Sequence, residues 1–101
     1  MTRLRPRKRE GRCYELAWRF LFEDDRFADW KLVHGEARGR DDCPVGHAWL
    51  DHAGADVVYD PVLGKFFPRG LYQHKFGAVA LRAFTQGEAL AALAHGHYGP
   101  W

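Results

Sequence analysis

Asparagine is absent from this 101-residue chain, cysteine occurs only twice, and no apolar run is long enough to cross a bilayer. Each scarcity excludes something. One pair of thiols cannot make a disulfide-stapled scaffold. Without a long apolar segment there is no membrane-spanning helix, and the start of the chain lacks the apolar stretch of a secretory signal. A cytoplasmic protein with two free thiols is therefore expected, although Cys13 and Cys43 could form one bridge. No internal repeat is visible, and apart from the start of the chain no low-complexity segment, so a solenoid is excluded. The formal net charge is only +2, too small for overall charge to choose a partner.

What is present is a folding composition: 47% hydrophobic and 15% aromatic residues, enough for one modest core. The cations are unevenly placed. Arg3, Arg5, Arg7, Lys8, Arg9 and Arg12 crowd the beginning, opposed there only by Glu10. Residues 1–10 read as a flexible basic arm, with Pro6 and like-charge repulsion against packing, and 11–101 as a single domain. Arg3, Arg5, Arg7, Lys8 and Arg9 could supply a weak, salt-sensitive nucleic-acid contact. No aromatic is interleaved to stack on bases, so a solvated tail is the preferred reading.

The spacing predicts a helix over 13–23. Glu15, Arg19 and Glu23 form a polar stripe, and apolar side chains cover the rest, as on a helix buried on several sides. A strand follows over 30–37 and a loop over 38–44. Runs 47–52 and 55–60, separated by Gly54, read as a β-hairpin. Pro68 opens a short helix that ends near Phe76, before Gly77. A strand over 78–84 leads to a last helix over 89–95, announced by the Thr85/Glu88 capping box and closed by Gly96. The aromatic tail 97–101 is expected to dock on the body. The class is α+β.

Three residues stand out for chemistry. Cys13 opens the first helix just after Arg12, where unpaired backbone N–H groups and the guanidinium favour negative charge on sulfur. An even-length hairpin loop, with four residues preferred, sets His47 directly opposite Asp60 and Trp49 opposite Val58. A carboxylate beside an imidazole fixes its tautomer, and the imidazolium in turn stabilises a thiolate. Plainer readings exist for each: Cys13 as a small buried apolar residue, His47–Asp60 as a structural bond, Trp49 as core rather than cleft wall. His34 reads as structural. Cys43 with His47 and His52, or His95 with His97, could bind zinc, but neither set has a second pair at familiar spacing. No metal and no other cofactor is expected.

The same segments carry a resemblance. Gly11-Arg12-Cys13-Tyr14-Glu15-Leu16-Ala17, Leu32-Val33-His34-Gly35, Gly46-His47-Ala48-Trp49 and Val58-Tyr59-Asp60-Pro61 resemble, in that order, the catalytic-helix, strand, HAW and Asp-Pro motifs of transglutaminase-like proteins. These belong to the papain-like cysteine hydrolase superfamily, and the layout is also similar to the small leader peptidases of lasso-peptide pathways. The resemblance covers about residues 11–62. It implies a papain-like/transglutaminase-like core, with a central N-terminal helix packed on an antiparallel sheet. It implies Cys13 as nucleophile, His47 as base and then acid, and Asp60 as the orienting group. The implied activity is thiol-dependent acyl transfer, chiefly hydrolysis of a peptide, isopeptide or amide bond in a peptide or protein substrate. One departure is plain. Papain-like relatives usually carry an amide side chain upstream of the cysteine to hold the oxyanion, and here no Gln or Asn precedes Cys13. The Cys13 N–H together with Arg12 is the expected substitute, with Trp49 in the substrate cleft. The departure favours the alternative, a binding or accessory module that keeps the scaffold without turnover.

Overall fold

A computed structural model describes residues 12–39, 41–52 and 54–101. The basic arm and its expected nucleic-acid contact lie outside the described residues. Helix α1 (Cys13–Glu23) has the bounds its pattern predicts. Its polar stripe is joined by ion pairs, with Arg19 donating to Glu15 at 2.8 Å and to Glu23 at 3.1 Å. The helix is not buried all round: Cys13, Ala17 and Leu21 form the one fully buried stripe, flanked by half-buried aromatics. A 3₁₀ turn (Asp25–Phe27) follows where a plain loop was expected, started by Asp24 accepting the Arg26 N–H at 2.9 Å.

Among the described residues, five antiparallel strands form one sheet in the order β4-β3-β2-β1-β5. They are β1 (Trp30–Arg38), β2 (Pro44–His52), β3 (Val57–Asp60), β4 (Lys65–Pro68) and β5 (Val79–Phe84). Strand β2 starts three residues before the expected His47, because the hairpin to β1 closes tightly: Gly39 N–H donates to the Cys43 carbonyl at 2.8 Å. Strand β4 is absent from the sequence reading, since adjacent Phe66 and Phe67 break any simple alternation. Each phenylalanine serves one face: Phe67 stacks near Tyr72, while Phe66 meets Tyr59, Phe27 and Trp30.

The hairpin register differs from expectation. The loop does hold four residues, but it is 53–56, so Leu50 pairs with Tyr59 and Asp51 with Val58. Continued along β2, this register sets Asp60 opposite Trp49, not His47. Even parity is kept, so His47 and Asp60 share a face as diagonal neighbours, a separation that long side chains span.

Leu32, Ala48, Leu50 and Tyr59 face α1. Val33, Trp49, Val58 and Phe67 face α2 (Arg69–Phe76) and its Tyr72. Pro68 is the N-cap of α2 and not its first residue, and Gly77 ends the helix in the left-handed region at φ 60°. The Thr85/Glu88 capping box forms, but it starts α3 (Gln86–Ala92) three residues earlier than expected, and a 3₁₀ turn (Leu93–His95) continues it. Trp101 then lies against Phe84 and His34, which docks the tail on β5 and β1. Among the described residues no helix is long and apolar enough to cross a membrane.

Candidate active site

Strand β3 ends at Asp60, and the β2–β3 ladder ends one residue before it, at the Leu50–Tyr59 pair. The first part of β2 is thereby left open on that side. The start of α1 reaches this stretch: a Cβ added to Gly46 would fall 2.5 Å from the Tyr14 hydroxyl. The Cys13 thiol, buried at 4% exposure, lies close enough to the His47 ring to help raise its pKa. Sheet termination is what lets a residue from the α1 side meet an imidazole on the opposite face.

Asp60 is 3% exposed and fully engaged. Its Oδ1 accepts the N–H groups of Val62 at 2.8 Å and Leu63 at 3.1 Å. Its Oδ2 accepts the Tyr72 hydroxyl at 2.7 Å and lies 3.0 Å from His47 Nε2. Burial pushes this carboxyl up, but His47, Tyr72 and the Leu63 N–H outweigh it and hold the pKa below the ordinary value. Asp60 is therefore ionised and acceptor-only, so Nε2 of His47 carries the proton that it donates. Nδ1 is then the nitrogen left for Cys13. Burial lowers the pKa of His47, yet Asp60 and Cys13 prevail and push it up to about 9. The ring is thus an imidazolium at neutral pH.

The structure brings Cys13, His47 and Asp60 together. It does not bring Arg12 in: that guanidinium donates to Glu15 at 2.7 and 3.2 Å. Trp49 is 4% exposed, beside His47 and Tyr72 at ring separations of 5.9 and 5.5 Å, and it belongs to the core under the site. Backbone donors remain. The first helical bond of α1 is from the Leu16 N–H to the Arg12 carbonyl at 2.8 Å, and among the described residues no side chain caps the helix. The N–H groups of Cys13, Tyr14 and Glu15 therefore have no partner within the helix.

Comparison with protein-family models, with curated proteins and with solved structures finds no match for this chain. Chemistry at this site is therefore read from its own residues, Cys13 beside His47 and His47 hydrogen-bonded to Asp60.

Sequence reasoning missed Tyr72. Its hydroxyl is buried against Asp60, and both burial and that carboxylate hold its pKa well above the ordinary tyrosine value. The signal was a lone tyrosine on a helix with nothing local to mark its partner. Sequence reasoning also missed a cleft of about 380 Å³ beside His47 and Asp60, walled by Val45, Val62, Leu63 and Phe76. Cys43 is exposed, and both cysteines are free thiols.

Proposed function

We propose that this chain is a cysteine hydrolase of the transglutaminase-like, papain-like type, acting on a peptide, isopeptide or amide bond. One observation carries the reading: a buried thiol beside an imidazole that is itself hydrogen-bonded to an ionised carboxylate. A helix packed on an antiparallel sheet, with the thiol at the helix start, supports the same assignment. The reacting form is the Cys13 thiolate beside the His47 imidazolium. Sulfur attacks the carbonyl carbon, forming a C–S bond, and the carbonyl oxygen becomes an oxyanion. The N–H groups at the start of α1 that have no partner within the helix would receive it, aided by the helix dipole. His47 then gives a proton to the leaving nitrogen as the C–N bond breaks. Water attacks the thioester carbon as His47 takes its proton, the C–S bond breaks to return the thiolate, and the acid departs. Two free thiols fit a reducing, cytoplasmic setting.

The rival is a binding module on the same scaffold. It is favoured by Arg12 being tied to Glu15, which leaves the oxyanion to backbone donors alone. An activated acyl donor separates the two. In a Cys43→Ala background, p-nitrophenyl N-acetylglycinate should acylate Cys13 stoichiometrically and then turn over, releasing a burst of p-nitrophenolate. The Cys13→Ala variant should do neither. Absence of acylation at Cys13 would overturn the enzyme reading and favour the module.

A further inference from the structure

The cleft beside the triad faces one side of it. His47 and Asp60 line it, whereas Cys13 does not. The cleft therefore opens on the imidazole side, away from the nucleophile. In acyl transfer the imidazole must reach the leaving nitrogen, so the leaving-group half of the substrate lies over His47. Its first side chain then falls at the cleft mouth.

The lining sets what that side chain can be. Val45 and Leu63 stand exposed at 46% and 43% on the rim, and Ala37, Val62 and Phe76 line the wall. Among the described residues, every charge lining the cleft is already engaged. Arg38 donates to the carbonyls of His74 at 3.1 Å and Lys75 at 2.5 Å, with Asp42 at 3.9 Å, and His47 is paired with Asp60. A charged substituent entering this space loses water and gains no partner. An apolar one covers surface that is otherwise wet.

We infer that the cleft is a specificity pocket for a bulky apolar residue on the leaving-group side of the scissile bond. The preferred target is thus a bond to the α-amino group of an aromatic or large aliphatic residue, rather than to a lysine side-chain amine. This inference rests on the hydrolase reading and adds the substrate class.

Acyl acceptors test it, since an amine that resolves the thioester occupies the leaving-group position. Its nitrogen bonds the carbonyl carbon, its proton passes to His47, and the C–S bond breaks to free the thiolate. With p-nitrophenyl N-acetylglycinate as donor and Cys43→Ala protein, phenylalaninamide, leucinamide, glycinamide and lysinamide are supplied at equal concentration. Mass spectrometry gives the ratio of aminolysis to hydrolysis. Phenylalaninamide and leucinamide should exceed glycinamide by about tenfold, the scale of one buried apolar side chain. Val45→Asp and Leu63→Asp, both at exposed rim positions, should each erase that preference and raise the lysinamide product. Equal ratios in the parent, or a preference that both substitutions leave intact, overturn the pocket assignment alone. No acylation of Cys13 overturns the hydrolase reading, and the pocket assignment with it.

Discussion

His47 Nε2 lies 3.0 Å from Asp60 Oδ2 although the two residues are not directly opposed on β2 and β3. The diagonal offset matters. Asp60, opposite Trp49, sits deep enough to meet Tyr72 from α2 and the turn N–H groups at once. His47 stays nearer the open stretch that the start of α1 reaches.

Replacing Asp60 by Asn tests the tautomer. The amide oxygen can keep the Val62 and Leu63 N–H bonds, so the turn survives. The amide N–H would then face His47 Nε2, which must accept, and the ring proton moves to Nδ1 beside sulfur. Acylation of Cys13 should slow by roughly three to four orders of magnitude, the scale seen when a triad carboxylate is replaced. Stability should fall by about 3 kcal/mol, as for other broken buried pairs. Burst kinetics and thermal melts measure the two. An unchanged acylation rate would show that Asp60 is structural only.

Tyr72→Phe removes one donor from Asp60 and keeps the ring among Trp49, Phe67 and Phe76. A loss of about 1.5–3 kcal/mol is expected, as for one buried hydrogen bond to a charged acceptor. Because Tyr72 helps hold the Asp60 carboxyl down, its removal should shift the acid limb of the rate profile upward. Acylation rates between pH 4 and 8 read that shift. A uniform drop at every pH would mean that Tyr72 acts through packing alone.

Two histidines should bracket the stability optimum from opposite sides. His34 is 5% exposed, and its Nε2 has no hydrogen-bond partner among the described residues. Burial, with Arg82 nearby, lowers its pKa to about 4. Below 6.5 the unfolded chain takes up a proton that the folded one refuses, so stability falls as pH drops from 6.5 toward 4, by up to about 1.4 kcal/mol per unit. His47 has its folded pKa raised to about 9, so its contribution is complete below 6.5 and is lost as pH rises toward 9. Denaturant melts across pH 4–10 should show both limbs, and His34→Phe should flatten only the acid one. An acid limb of the same slope in His34→Phe would assign it elsewhere.

Thiol chemistry should separate the two cysteines by environment. Cys13 lies beside an imidazolium at a helix start, whereas Cys43 is exposed on a hairpin. Iodoacetamide at pH 6.5 should alkylate Cys13 faster despite its burial, because the thiolate is the nucleophile. Turnover of amide substrates should decline above about pH 9, where His47 no longer holds the proton that the leaving nitrogen needs. Faster labelling of Cys43 at pH 6.5 would remove the activated-thiol argument.

Local chemistry was legible in the chain itself. The charge stripe Glu15/Arg19/Glu23 set α1, the Thr85/Glu88 box marked a helix start, and Gly77 marked a helix end, because each depends on groups a few residues apart. The shared face of His47 and Asp60 also followed from the sequence, since side-chain alternation depends only on loop parity. Tertiary structure decided the rest. The absolute register slid by one residue pair, because packing of Trp49, Val58 and Phe67 against Tyr72 selects among loops of equal parity. Strand β4 exists because Val58 and Tyr59 need a neighbour, which Phe66 and Phe67 do not announce. The Tyr72–Asp60 bond, the burial of Trp49, the capture of Arg12 by Glu15 and the cleft beside His47 all join or separate groups by folded geometry. A sequence pattern records periodicity along the chain; which side chains meet across elements is fixed only when the elements pack.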